Sequence, residues 1–173
     1  MLEILRLTHR IARDKRISTH LALTARAFLA DKMYYSGEKD SSLESSIEKI
    51  NTKFGSAFFI AYVKEPVKLI KEKKSQGYKI INLTMYGLPL KTEIAEVKKF
   101  KNILIVIGSE HVPFEFYQLA DINLSITNQP HSELSALAIL LHELQEGKKL
   151  QYKDAQLTIQ PSRMGKKIIK RGD

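Results

Sequence analysis

Short runs of Val, Ile and Leu alternate along this chain with longer stretches whose apolar residues recur at helical spacing. The runs predict strands at 2–7, 32–35, 57–63, 78–85, 102–107 and 121–126. The longer stretches predict helices at 19–30, 43–54, 67–76, 92–101 and 131–146. Local signals agree: Thr19 is placed as an N-cap, Asp40-Ser41-Ser42 precedes the second helix and Gly55 ends it. Pro66 opens the third helix and Gly77 closes it. Residues 156–159 form a candidate edge strand. Uninterrupted apolar strands between helices predict an α/β fold, a mostly parallel sheet with helices on both faces. Ligands in such sheets bind beyond the carboxyl ends of the strands, which directs attention to the loops after Met85, Ile107 and Ile126.

The helix at 131–146 is apolar over more than one face. Leu134, Leu137, Ala138, Leu141 and Leu144 form one stripe, and Ile139 and Leu140 widen it. A helix of this kind needs a second cover beside the sheet. Two are open: a second copy of the chain, or the C-terminal tail folded back.

Composition narrows the chemistry. Cysteine is absent, which excludes disulfides, thiolate metal sites and thiol catalysis and fits a reducing, cytoplasmic setting. No apolar run reaches membrane-spanning length, and Met1–Arg6 goes directly into a strand pattern, so neither a membrane nor a signal peptide is expected. The net charge of +9 is concentrated at the two ends of the chain. Residues 1–32 carry seven Lys and Arg against three carboxylates, and residues 148–173 carry eight against two. Two basic ends around a neutral body suit a polyanion, although a soluble basic surface or a thermophile's charge load has the same composition. The division expected is a domain over 1–150 and a basic extension over 151–173.

The GxGxxG, GxxxxGK[ST] and HExxH patterns are all missing, and the five histidines show no ligand spacing, so no metal is expected. Three segments carry candidate chemistry. Ile105 through Pro113 is a buried strand running into a turn, where Gly108 allows backbone to approach a ligand. Residues 126–133 lead from a strand into the long helix and offer free backbone amides at its start. Residues 7–26 gather Arg10, Arg13, Arg16 and Arg26 into one basic stretch.

The stretches LRLTHRIARDKRISTHLALTARAF and IGSEHVPFEFYQLADINLSITNQPHSELSALA resemble the archaeal tRNA cytidine-56 2′-O-methyltransferases of the SPOUT superfamily. The resemblance covers residues 1 to about 150. One departure is Leu29, where the family pattern has glycine. The resemblance implies a SPOUT-type fold with a C-terminal trefoil knot and S-adenosylmethionine as cofactor, held bent in the knot. It places the cofactor against Leu83, against Gly108, Ser109, Glu110, His111 and Val112, and against Ile126, Thr127, Asn128, Gln129, Pro130, His131, Ser132 and Glu133. It implies Arg26 as the catalytic arginine, with His20 six residues before it as proton acceptor, and RNA contacts from Arg10, Arg13 and Arg16. It also implies a homodimer paired through the knot region, which sets one subunit's arginine near the other's cofactor, acting on tRNA. A SPOUT enzyme acting on another RNA position and a non-catalytic RNA-binding protein remain open alternatives, because fold alone does not fix function.

Overall fold

A computed structural model describes residues 1–108, 111–148, 151–152 and 154–171. Strands β1 (Leu2–His9), β2 (Lys32–Gly37), β3 (Phe59–Tyr62), β4 (Lys79–Pro89), β5 (Ile103–Ile107) and β6 (Ile122–Ser125) form one sheet in the order β3-β2-β1-β5-β4-β6. Every pairing in it is parallel. Helices α1 (Ile11–Ala27), α2 (Ser41–Phe54), α4 (Leu90–Val97) and α6 (Glu133–Leu144) pack on one face. Helices α3 (Pro66–Ser75) and α5 (Phe114–Leu119) pack on the other. The strand side chains alternate accordingly: Ile4, Ile105 and Ile107 point to the first layer, Leu5, Leu104 and Val106 to the second. Burial on both faces is why these strands read as continuous apolar runs.

Three features differ from the sequence expectation. First, α1 begins at Ile11, eight residues before the predicted start. Its early buried positions are Asp14 and Ser18, not apolar residues, so the hydrophobic period is silent there. Arg10 occupies the N-cap, and Thr19 lies inside the helix. Second, α5 was not predicted; its six residues are too few to show a period. Third, the tail strand does not join the main sheet. Strands β7 (Leu157–Gln160) and β8 (Lys167–Lys170) form a separate antiparallel hairpin. It packs against α2 and leaves Ile139 of α6 exposed, so the hairpin is not the cover that α6 needs.

The end of α1 explains the departure at Leu29. The Ala30 N–H donates to the Ala25 carbonyl and the Leu29 N–H to the Arg26 carbonyl, which is a Schellman closure. Its left-handed position is Leu29, at φ 59°. Glycine adopts that conformation without strain, whereas a β-carbon opposes it.

Strand β4 makes a detour. Both Leu83 and Leu88 pair with Leu124 of β6, so the chain leaves the sheet at Thr84 and re-enters at the place it left. The Asn128 amide ties the loop after β6 to this detour, donating to the Met85 carbonyl at 2.7 Å and the Gly87 carbonyl at 3.2 Å.

Candidate active site

One cavity opens at the carboxyl edge of the sheet, where the detour of β4 meets the loops after β5 and β6. Its volume is about 330 Å3, within the range of small-molecule sites. Leu83, Gly108, Val112 and Ile126 give it apolar walls, and Pro130, His131, Ser132 and Glu133 close it at the start of α6. Thr84, Met85 and Tyr86 come from the detour, Tyr117 from α5 and Arg13 from the first turns of α1.

Beneath the cavity lies a buried charge cluster. Arg6 occupies an apolar-layer position of β1, and its side chain is 0% exposed. Its Nη2 donates to Glu133 Oε1 at 3.0 Å and stands 3.7 Å from Asp14 Oδ2. Asp14 also faces Arg13 Nε at 3.0 Å and Arg10 Nε at 3.5 Å. Burial pushes the Asp14 carboxyl up, but the Arg13 hydrogen bond, the charges of Arg6 and Arg13 and the Arg10 backbone N–H hold it below its ordinary value. The cluster therefore joins the α1 arginines to the α6 carboxylate that lines the cavity.

A second buried group sits where β1 ends. His9 Nδ1 lies 2.7 Å from Ser18 Oγ, and its Nε2 lies 3.5 Å from Asp40 Oδ2. Its ring meets Tyr35 edge-on. Asp40 caps α2 through the N–H groups of Ser42 and Leu43, so His9 links the middle of α1 to the start of α2. Burial, then the Arg6 charge, lowers the His9 pKa against the opposing Asp40 carboxylate.

Among the residues expected at a cofactor, the structure brings Leu83, Gly108, Val112, Ile126, Pro130, His131, Ser132 and Glu133 to the cavity wall. Ser109 and Glu110 lie outside the described residues. His111, Thr127 and Gln129 are exposed and do not line it, although the Gln129 carbonyl is 2.7 Å from His131 Nδ1. Asn128 is engaged in shaping the detour. A Cβ added at Gly108 would run into a methyl of Val112, so the bare backbone there keeps the cavity open.

The arginines divide. Arg13, expected at RNA, lines the cavity, whereas Arg10 and Arg16 are exposed near the same end of α1. Arg26 is not at the cavity. It is thirteen residues further along α1 than Arg13, a rise of about 20 Å, and it is 8% exposed. Its Nε donates to Asn51 Oδ1 at 2.9 Å, and its Nη2 donates to the Gly55 carbonyl. His20 is exposed on the same helix and does not line the cavity either. The sequence reading missed Thr84, Met85, Tyr86, Tyr117 and Ala136. The loop expected after Met85 was a signal for Tyr86; Tyr117 arrives on the unpredicted α5.

The parallel sheet places the chain in a class, the fold shared with solved SpoU-type RNA methyltransferases. The A. aeolicus TrmH/SpoU tRNA modifying enzyme superposes with a TM-score of 0.59 at 19% identity, over 83% of this chain and 72% of that one. AviRb of Streptomyces viridochromogenes, solved with AdoMet, gives 0.60 at 16% identity, over 83% of this chain and 56% of its own. Sequence narrows the class. The profile of the tRNA ribose 2′-O-methyltransferase family, aTrm56, matches residues 54–169. A tRNA (cytidine(56)-2′-O)-methyltransferase of Methanosphaera stadtmanae is 44% identical over 98% of this chain and 99% of its own length. The protein of that name from Methanocaldococcus jannaschii is 47% identical over 98% and 97%. The chain belongs to the aTrm56 family of tRNA ribose 2′-O-methyltransferases.

Proposed function

We propose that this chain transfers a methyl group from S-adenosylmethionine to the ribose 2′-hydroxyl of cytidine 56 in tRNA. The observation that carries the reading is full-length similarity to enzymes of that name, joined to a cavity of matching size and polarity. The residues fit the cofactor. Leu83, Val112 and Ile126 offer apolar walls to a base, Gly108 leaves backbone exposed, and the first turn of α6 presents N–H groups. S-adenosylmethionine supplies an electrophilic methyl group on a cationic sulfur.

Arg13 is assigned to the substrate hydroxyl, because it is the arginine that this chain brings to its own cavity. Arginine stays protonated, so its role is to orient the 2′-oxygen and stabilise the negative charge that develops there. Asp14, itself held by Arg6, fixes the Arg13 side chain. His131 is assigned as the proton acceptor. With Nδ1–H donated to the Gln129 carbonyl, the neutral ring carries its lone pair on Nε2. That nitrogen would accept the 2′-hydroxyl proton; the bound S-adenosylmethionine would supply the methyl group from its sulfur and leave as S-adenosylhomocysteine.

The assignment extends to the assembly. Helices α1 and α6 lie side by side, and Ile17 and Ile139 are exposed on them. A second copy related by a two-fold axis is the cover we assign to this surface. The trefoil knot belongs to the same reading, supported by the β4 detour and its Asn128 tie. So do a methyltransferase unit over 1–150 with an extension beyond it, and a cytoplasmic setting; among the described residues no helix is long and apolar enough to cross a membrane.

The test is methyl transfer to unmodified tRNA transcripts, with the product mapped by nuclease digestion and mass spectrometry. One 2′-O-methyl group at cytidine 56 is expected. Methyl at another position, or on a base, overturns the assignment. Arg13→Ala is expected to lower the single-turnover rate by about 10²–10³-fold, the loss typical of one electrostatic donor. A rate close to that of the unaltered protein removes Arg13 from the chemistry.

A further inference from the structure

We propose that Arg26 is the seat of an RNA-binding arm, and that the β7–β8 hairpin is that arm. The inference rests on tRNA being the substrate and assigns a surface that grips it away from the cavity.

Arg26 is buried at the end of α1, and the groups that hold it there are neutral: an amide, a carbonyl and an aromatic ring. Its guanidinium joins three segments. It donates to Asn51 of α2, donates to the Gly55 carbonyl, and lies 4.9 Å from the centre of the Tyr152 ring. Tyr152 answers with its hydroxyl, which donates to the Arg26 carbonyl at 2.5 Å. Asn51 in turn donates to the Phe58 carbonyl at 2.7 Å. Tyr152 is half-buried, and the chain beyond it becomes the hairpin. The hairpin therefore leaves the body at a place that Arg26 fixes.

The hairpin itself is built to meet a partner. All four residues of β8 are exposed, and three of the four in β7. A two-stranded ribbon exposed on both faces gains little stability by itself. Residues 154–171 hold five cations, Arg163, Lys166, Lys167, Lys170 and Arg171, against the single carboxylate of Asp154. Four of the five fall within 166–171, along β8 and its flanks. Exposed Ile159 and Ile168 pair across the strands, and Lys170 shares their face. Cations beside exposed aliphatic surface suit a ribose-phosphate backbone, where counterion release supplies affinity. The seat is about 20 Å along α1 from Arg13, so the arm grips RNA at a distance from the target ribose.

The test uses the full chain with unmodified tRNA transcript. Affinity is measured by fluorescence anisotropy across a salt series, alongside single-turnover rate at saturating tRNA and cofactor Kd. Lys166→Ala/Lys167→Ala/Lys170→Ala is expected to weaken tRNA binding at least tenfold. It should flatten the slope of log K against log salt by about 0.7–0.9 for each phosphate that is no longer neutralised. The saturated rate and the cofactor Kd should stay within about threefold, the split that marks a change in binding alone. Arg26→Met is expected to give the same split, and to add nothing further in the triple-alanine background. If Arg26→Met melts below the assay temperature, Tyr152→Phe, which removes one hydroxyl, carries the comparison.

Unchanged tRNA affinity in the triple variant overturns the arm. So does a triple variant that changes only its sedimentation, since the hairpin would then bind protein. A loss of saturated rate in Arg26→Met with tRNA affinity intact returns Arg26 to the chemistry and overturns the seat. Failure of the unaltered protein to methylate tRNA is a different result and overturns the functional assignment.

Discussion

Arg6→Met would cut the charge cluster beneath the cavity and leave its shape nearly intact. Arg6 is fully buried, and its loss strands Glu133, which is 18% exposed and hydrogen-bonds Arg6 at 3.0 Å. Asp14 keeps Arg13 and Arg10 and is not stranded. Removing one partner of a buried ion pair costs about 3–5 kcal/mol. With one stranded carboxylate, and that one partly hydrated, the low end applies, about 3 kcal/mol. For a chain of this length that is a fall in Tm of about 6–12 °C. The assay is thermal and urea denaturation of the single variant, of Glu133→Gln and of the double variant. Arg6→Met/Glu133→Gln should recover about half of the loss, because the stranded charge is gone. Cofactor affinity should fall in the single variant, since Glu133 loses the group that orients it. A single variant melting within about 2 °C of the unaltered protein, or a double variant no better than the single, would refute the reasoning.

Four further outcomes are expected. Because His9 is held neutral below its ordinary pKa, its contribution is complete above about pH 6.5 and is lost as pH falls toward the folded-state value. The urea midpoint should therefore drop between pH 7.5 and 5, and His9→Gln should flatten that slope; an unaltered slope would clear His9 of the effect. Leu29→Gly should raise stability by about 1 kcal/mol by relieving a left-handed β-carbon, seen as about 2–4 °C in Tm; a fall in Tm would show that Leu29 packing outweighs strain. Ile139→Glu should convert a dimer into a species near the 19.8 kDa chain mass in sedimentation, and an unaltered protein already at that mass would remove the dimer. Turnover on prefolded tRNA should survive EDTA, and a loss restored by a divalent ion would point to a metal.

The sheet was legible because burial on both faces writes itself as uninterrupted apolar strands, as at Ile103–Ile107. The start of α1 was not, for the opposite reason. Asp14 and Ser18 occupy its buried face, satisfied by arginines and by His9, and a polar buried face has no hydrophobic period. The same cause hid part of the site. Spacing to a family pattern pointed to Arg26; within one chain, helix geometry carries that residue to the far end of α1 and leaves Arg13 at the cavity. The loops after β5 and β6 were foreseen from the topology of parallel sheets, which is independent of side-chain detail; the segment after Met85, expected as a loop, is instead the detour within β4. Tyr117 was beyond reach, because α5 is held by Phe116 in the second layer and not by a repeating pattern.

The detour of β4 bears on how such a site changes over generations. Leu83 and Leu88 meet the same partner, so the residues between them add nothing to the pairing with β6. Insertions or deletions among Thr84, Met85 and Tyr86 would lengthen or shorten one wall of the cavity while every later strand kept its alignment. The constraints are the Asn128 tie to the Met85 carbonyl and the return point, where a β-carbon at Gly87 would come within 2.5 Å of the Asn123–Leu124 backbone. The sheet can stay constant while ligand fit drifts, because the variable wall is decoupled from the register that holds the fold.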